Sequence, residues 1–206
     1  MTSFRFARAW LRNPRSTGAL VPSSASLAAA LVAALPDDDY DLVVELGTGE
    51  GRVTRHLVAR FGGERVFGVE LDPGLAKLAR AQAPEATVVV GDAGRLSQLL
   101  QRRRNAGKTA VVSCLPLIYM PRTRQRVLSA VRSLIEPHGH LVQFTYAPWQ
   151  PYPKRECRFF SLSGTRAGRV LRNLPPATVW LYHPVVSMPA CVAKTVDMQP
   201  QGLSAE

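Results

Sequence analysis

Cysteine is scarce in this 206-residue chain, and its three copies, Cys114, Cys157 and Cys191, have neither metal-ligand spacing nor the density of a disulfide framework. A reducing compartment and no metal are therefore expected. No apolar run approaches the ~18–20 residues that span a bilayer. The apolar stretch at 25–35 reads instead as a helix, capped by Ser23 or Ser24 and ended by Pro36. A secretory leader is the competing reading, but it would be overlong and interrupted by Pro14 and Pro22. Acids are missing from one half only: residues 1–92 carry ten basic and eleven acidic side chains, whereas 93–196 carry sixteen basic ones against Glu136 and Glu156. The surplus lies at 102–104, at Arg122, Arg124 and Arg126, and from Lys154 to Arg172. Such asymmetry points to a polyanionic partner, nucleic acid or an anionic membrane surface. A solvated basic face in an arginine-rich proteome is the plainer alternative. Two nucleotide-binding motifs are also absent. Arg52 stands where the last glycine of G-x-G-x-x-G belongs, and there is no G-x-x-x-x-G-K-[ST].

What is present is concentrated at residues 42–51, Leu-Val-Val-Glu-Leu-Gly-Thr-Gly-Glu-Gly. A short apolar run carries an acid, Glu45, and leads into glycines at alternate positions, Gly47, Gly49 and Gly51. A buried strand followed by a turn without side chains lets backbone approach a ligand. Val53, Leu57, Val58 and Phe61 then recur at helical spacing until Gly62-Gly63 stops the helix. Strand, glycine turn and helix make the nucleotide-cradling start of a doubly wound sheet.

The pattern acid-x-Gly-x-Gly-x-Gly resembles motif I of S-adenosylmethionine-dependent methyltransferases. A carboxylate suits that cofactor, whose methionyl end carries an ammonium beside a cationic sulfonium; a structural turn with a surface Glu is the blander reading. Two more strands follow, each tipped with an acid: 65–70 ending in Glu70, and 86–92 ending in Asp92 before Ala93. In adenosine-binding sheets the first such acid accepts both ribose hydroxyls; in the methyltransferase pattern the second reaches the adenine amino group. A lone acid there is as easily a helix cap, and Asp72 before Pro73 is read as one. Three on successive strand tips converge on one crevice.

At the N-terminus, Phe4, Phe6, Ala7, Trp10 and Leu11 share an arc of roughly 160° on a helical wheel, with Arg5, Arg8 and Arg12 within about 60° beside it. Aromatics flanked by arginine suit a helix lying in a membrane interface, apolar side in the acyl region. A core-docking helix is the other reading. No nucleic-acid-binding module is recognisable, and the tryptophan favours the interface. The fourth strand, at 109–113, leads into Cys114-Leu-Pro-Leu117, where amino-group methyltransferases place their acceptor loop. Asn/Asp-Pro-Pro-aromatic, frequent in enzymes acting on nucleobase amines, is missing there. The carbonyls of Cys114 and Leu115, turned outward by Pro116, are candidate acceptors for a substrate N–H. A helix from about Arg122 to Ile135, a turn at 136–139 and a fifth strand at 140–146 follow, with His138 and His140 as turn and strand-edge residues.

Nearly the whole chain, roughly residues 4–184, resembles the bacterial phospholipid N-methyltransferases, the small soluble type that converts phosphatidylethanolamine to phosphatidylcholine. The resemblance rests on 10–24, the motif I run, Gly91-Asp92-Ala93, Ser113–Leu117, Val142-Gln-Phe-Thr-Tyr-Ala147 and Arg172-Asn-Leu-Pro-Pro-Ala-Thr-Val-Trp180. The chain departs from the family at Thr48-Gly49-Glu50, where Pro-Gly-Thr is common, and ornithine-lipid methyltransferases look much alike. An adenine dimethyltransferase acting on ribosomal RNA, or a membrane-remodelling protein on a vestigial fold, are the competing readings. The resemblance implies an α/β fold, a doubly wound seven-stranded Rossmann-like sheet with an antiparallel C-terminal hairpin from Arg166 to His183, preceded by an amphipathic helix. The expected division is 1–15 for that helix, 16–198 for the methyltransferase domain and 199–206 for a frayed tail. S-adenosylmethionine is the implied cofactor, without metal. Glu45, Gly47 and Gly49 would hold its methionyl end, Glu70 and Leu71 the ribose, Asp92 and Ala93 the adenine, with Ser113 beside them. Tyr146, then Tyr119, are the candidates for contacting a methylated ammonium by cation–π attraction, with Leu115 on the acceptor loop. Tyr146 is equally open to a packing role. Phe4, Arg5, Arg8, Trp10, Leu11 and Arg12 are the membrane-contacting candidates, and Arg12, Lys154 and Arg155 candidates for a lipid phosphate. The expected partners are an anionic membrane surface and its phospholipid, not nucleic acid, for a cytoplasmic monomer held peripherally at the inner membrane.

Overall fold

In the computed structural model, residues 24–101, 107–173 and 175–185 are described. The six membrane candidates between Phe4 and Arg12, the arginine run at 102–104, Leu174, Cys191 and the 199–206 tail lie outside them.

Seven strands form one sheet in the order β3-β2-β1-β4-β5-β7-β6. The parallel part comprises β1 (Leu42–Leu46), β2 (Val66–Glu70), β3 (Thr87–Val90), β4 (Thr109–Ser113) and β5 (His140–Thr145). Strands β1, β2 and β4 are buried along their whole length, as expected of parallel strands covered on both faces. Helices alternate with them: α1 (Ala25–Ala33), α2 (Arg52–Phe61), α3 (Pro73–Gln82), α4 (Leu96–Leu99) and α5 (Pro121–Ile135). Their boundaries follow local chemistry. Ser24 Oγ accepts from the Leu27 amide at 3.1 Å to cap α1. Asp72 Oδ1 takes the Gly74 and Leu75 amides at 2.8 and 3.1 Å, with Pro73 opening α3.

Side chains alternate across β1, so Leu42, Val44 and Leu46 pack with Leu128, Val131 and Ile135 of α5 on one face. Val43 packs with Leu27, Leu31 and Leu57 on the other. Glu45 shares the parity of Val43 and therefore meets α2. The same alternation sends Gln143 of β5 to the α5 face with Leu141.

The antiparallel pair β6 (Leu162–Val170) and β7 (Ala177–Pro184) closes the sheet, β7 lying against β5. The hairpin expected at Arg166–His183 is present, but β6 begins four residues earlier. Gly164 permits that extension: a Cβ there would lie 2.2 Å from the Tyr182 ring, so only glycine lets the strand cross the buried tyrosine. A short helix, α6 (Lys154–Phe159), also forms inside the stretch read only as basic. Arg124 corrects that reading further, since it is buried rather than part of a solvated face. Its guanidinium grips Glu156 of α6 through Nε at 2.7 Å and Nη2 at 2.8 Å, and Nη1 donates to the Leu117 and Ile118 carbonyls at 3.1 and 3.2 Å. No helix among the described residues is long and apolar enough to cross a membrane.

Candidate functional site

Strand order reverses between β1 and β4, and the C-terminal ends of these neighbours open the crevice where open α/β sheets bind ligands. The glycine turn sits at its centre. Gly47 has φ +80°, and a Cβ on it would strike Leu115 Cδ2 at 2.7 Å, so this position joins the turn to the loop after β4. Gly49 has φ +54°, with nothing within 4 Å of where its Cβ would be, which leaves its face open to a ligand.

Glu45 is fully buried beneath the turn. Thr54, one turn into α2, donates its hydroxyl to Glu45 Oε2 at 2.6 Å, while Oε1 has no partner among the described residues. Burial pushes the Glu45 carboxyl up to about 8, the Thr54 hydrogen bond pulls the other way, and the charge of Glu70 adds to the rise. Thr48 Oγ1 and Ser113 Oγ are likewise buried without partners. Ser113 stands opposite Leu46 in the β1/β4 ladder, so these unpaired atoms belong to the same strand ends.

Glu70 is more heavily engaged than an acid awaiting a sugar. Its Oε2 accepts the Gly49 amide at 2.8 Å, and Oε1 accepts the Leu71 and Asp72 amides at 2.8 and 3.0 Å. A carboxylate has about four acceptor sites, so one remains for a ribose hydroxyl while Gly49 stays bound. Both hydroxyls, as expected from the sequence, can be accepted only if that amide lets go. Asp92 acts first as a cap, Oδ1 taking the Gly94 amide at 2.8 Å; Oδ2 stands 3.8 Å from Arg126 Nη1, beside buried Ala93.

The acceptor side corrects one expectation. The Leu115 carbonyl accepts from the Leu117 amide at 2.8 Å and from Gln143 Nε2 at 3.0 Å, which uses both of its lone pairs. It has none left for a substrate amine, and of the two carbonyls proposed for that task only that of Cys114 is retained. Gln143 also donates to the Phe144 carbonyl and accepts from Tyr152 at 2.9 Å. It thus fixes the loop that packs on Gly47. Tyr146 is half-buried just past β5, its ring edge-on to Phe144 at 5.3 Å. Burial, partly opposed by a hydrogen bond with the Asn173 side chain and reinforced by the nearby Cys114, pushes its phenol up to about 12. Asn173 is buried, bonding the Pro175 carbonyl through Nδ2 and the Ser24 amide through Oδ1. Tyr119 is exposed on the turn after Leu117. His140 lies at the opposite end of the sheet, its ring paired with Tyr40 at 2.8 Å, away from the crevice. Thr54 and Gln143 escaped the sequence reading. The single signal was the polar Gln143 in the apolar strand Leu141–Thr145.

An open glycine face and three unpaired buried polar atoms, one on an acid, suit a ligand with a cationic amino-acid end. Comparison agrees. A methyltransferase-domain family model matches residues 43–139. The chain belongs to the class I S-adenosylmethionine-dependent methyltransferases, and the doubly wound sheet with its antiparallel hairpin is their fold. It is 35% identical over 181 residues to the ornithine lipid N-methyltransferase of Singulisphaera acidiphila, covering 84% of this chain and 92% of that protein. Among solved structures, an S-adenosylmethionine-dependent methyltransferase from Anabaena variabilis is 12% identical with a TM-score of 0.62, covering 90% of this chain and 96% of that one. An RNA methyltransferase from Salinibacter ruber, in complex with S-adenosylhomocysteine, is 20% identical with a TM-score of 0.51, covering 82% and 97%. At these identities the two structures support the fold alone.

Proposed function

We propose that this enzyme methylates the head-group amine of a membrane lipid, with the amine of ornithine lipid as first substrate and phosphatidylethanolamine as second. The observation that carries this reading is the relationship, over nearly the full length of both chains, to an ornithine lipid N-methyltransferase. Phosphatidylethanolamine stays in view because Val142–Ala147 and Arg172–Trp180 resemble the phospholipid enzymes.

The cofactor supplies an electrophilic methyl group on a sulfonium. Glu45, Gly47 and Gly49 would hold its methionyl end, Glu70 and Leu71 its ribose, Asp92 and Ala93 its adenine, with Ser113 Oγ alongside. The protein's contribution is approximation and alignment. The Cys114 carbonyl takes one amine N–H and so aims the nitrogen lone pair. The Cys114 thiol stays neutral, since burial and then the charges of Glu45 and Glu70 push it up. No side chain at the acceptor loop is a strong base, and the amine loses its proton to water. The Tyr146 ring attracts the ammonium as methyl groups accumulate. The surplus of positive charge in residues 93–196 suits an anionic membrane surface, where a peripheral, cytoplasmic enzyme would meet its substrate.

The test is incubation with methyl-labelled S-adenosylmethionine and vesicles containing ornithine lipid or phosphatidylethanolamine, followed by separation of the lipids. Label in either amine supports lipid methylation, and the faster substrate sets the order. Cofactor binding with no labelled lipid would refute the proposal and turn attention to RNA.

A further inference from the structure

Either amino lipid carries an anion a few bonds from its amine: a carboxylate in ornithine lipid, a phosphate in phosphatidylethanolamine. A site that takes the amine at Cys114 and Tyr146 therefore has that anion close by. The strand register shows which chain lies there. Ser113, whose end of β4 opens the crevice, is level with Gln143, so β5 runs two residues further before Tyr146. Beside that end Thr145 pairs with Thr178, and Val170 with Ala177, so the connection from β6 to β7 stands on the crevice edge of the sheet. Leu162 and Pro184 pair at the opposite edge, where the end of α6 leads.

The connection is pinned at Asn173, which is buried. Its Nδ2 donates to the Pro175 carbonyl at 2.8 Å, its Oδ1 accepts the Ser24 amide at 3.3 Å, and its side chain also bonds Tyr146. Holding a turn needs only the first of these bonds; the other two tie the turn to α1 and to the acceptor site. Arg172 comes immediately before Asn173. Consecutive Cα atoms are about 3.8 Å apart, so its backbone is fixed one residue from the group that holds Tyr146. Its side chain is exposed, and no carboxylate among the described residues pairs with it. Beyond Asp92 the acids of the described residues are Glu136 and Glu156, engaged by Arg132 and Arg124, and Asp92 itself faces Arg126.

We propose that Arg172 is the head-group anchor of this enzyme, receiving the carboxylate or phosphate of the lipid while the amine lies at Cys114 and Tyr146. A guanidinium presents a planar fork of donors that either anion can take in two parallel bonds. Two fixed points on one short head group set the direction in which the amine enters the crevice, and alignment is what methyl transfer requires. Arg172 thus determines specificity by binding a part of the substrate that does not react. Lys154 and Arg155, the other candidates on the described chain, have no such link to Tyr146. This role rests on the lipid reading given above.

The experiment uses the full chain as wild type, Arg172→Gln and Arg158→Gln. Arg158 is likewise exposed but sits near the end of α6, so its loss removes the same charge away from the crevice. Methyl transfer is measured with ornithine lipid, its carboxyl methyl ester and phosphatidylethanolamine, each dispersed in neutral detergent so that no charged surface contributes. Arg172→Gln is expected to raise KM roughly tenfold or more for ornithine lipid, phosphatidylethanolamine or both, the scale of a charged hydrogen bond. Its kcat, S-adenosylhomocysteine binding and melting temperature should stay at wild-type values, and Arg158→Gln should match wild type throughout. A rise on ornithine lipid assigns the carboxylate; esterification should then cost the wild type the same factor and the variant nothing further. A rise confined to phosphatidylethanolamine assigns the phosphate. Unchanged KM on both lipids would overturn the proposal, as would an equal rise in Arg158→Gln. So would a rise on ornithine lipid with esterification costing both proteins alike, since independent effects add. A wild type that binds S-adenosylhomocysteine but labels neither lipid would instead refute lipid methylation.

Discussion

Replacing Glu45 by glutamine should make the cofactor-free protein more stable at alkaline pH while removing the carboxylate proposed to hold the cofactor's methionyl end. Burial is the main reason the carboxyl is pushed from its ordinary 4.5 up to about 8. Below about pH 4.5 the group is protonated in folded and unfolded chains alike, so its contribution is constant. Between that point and pH 8 the unfolded chain releases a proton that the folded chain retains. Each pH unit then removes about 1.4 kcal/mol of stability. Above pH 8 the loss is complete, on the order of 3–5 kcal/mol. An amide does not titrate and can still accept from Thr54. For a domain of this size, about 2–4 °C per kcal/mol, the melting temperatures of variant and wild type should separate by roughly 10 °C between pH 5 and pH 9. Other titrating groups act on both proteins alike, so the difference isolates Glu45. Scanning calorimetry on cofactor-free samples across that range is the assay. A difference that does not grow with pH would refute the reasoning.

The same carboxyl must ionise to pair with a cationic amino-acid end, so S-adenosylmethionine affinity should rise from pH 6 towards pH 8, with a proton released on binding. Titration calorimetry in buffers of different ionisation enthalpy would detect it, and equal heats in all buffers would count against it. Arg124→Met should cost about 3–5 kcal/mol in chemical denaturation, because Glu156 is left buried and unpaired, whereas Arg124→Met with Glu156→Leu should recover most of it. Tyr146→Phe should keep most of the later methylation steps and Tyr146→Ala should lose them, since the ring rather than the hydroxyl attracts the cation; identical product series from both would exclude a cation–π role.

The parallel sheet was legible because its signals are local. The apolar runs at 42–46, 66–70 and 109–113 and the glycines after Leu46 each lie within one short window. The acids at 45, 70 and 92 were legible for the same reason. Their partners were not. Thr54 sits nine residues from Glu45, and Arg124 lies thirty-two from Glu156. Only the packed sheet shows Arg124 buried rather than adding to a basic surface. The Leu115 carbonyl failed as an acceptor for a similar reason: Gln143, which occupies one of its lone pairs, arrives from a strand twenty-eight residues away. The early start of β6 depends on a tyrosine eighteen residues downstream, beyond any local pattern.

The reversal of strand order between β1 and β4 divides the labour of this sheet along a single seam. Glu45, Glu70 and Asp92 belong to β1, β2 and β3 and the turns that leave them, whereas Cys114, Gln143, Tyr146 and α6 belong to chain from the end of β4 onward. Across the seam Leu115 rests on Gly47, and Arg126 of α5 stands beside Asp92 and Gly94. Mutations that reshape the loops after β4 and β5 can therefore alter which amine is accepted without retuning the grip on the methyl donor. On the proposed function, descendants of one ancestral sheet would in this way diverge from one lipid head group to another by a few substitutions on one side of the seam.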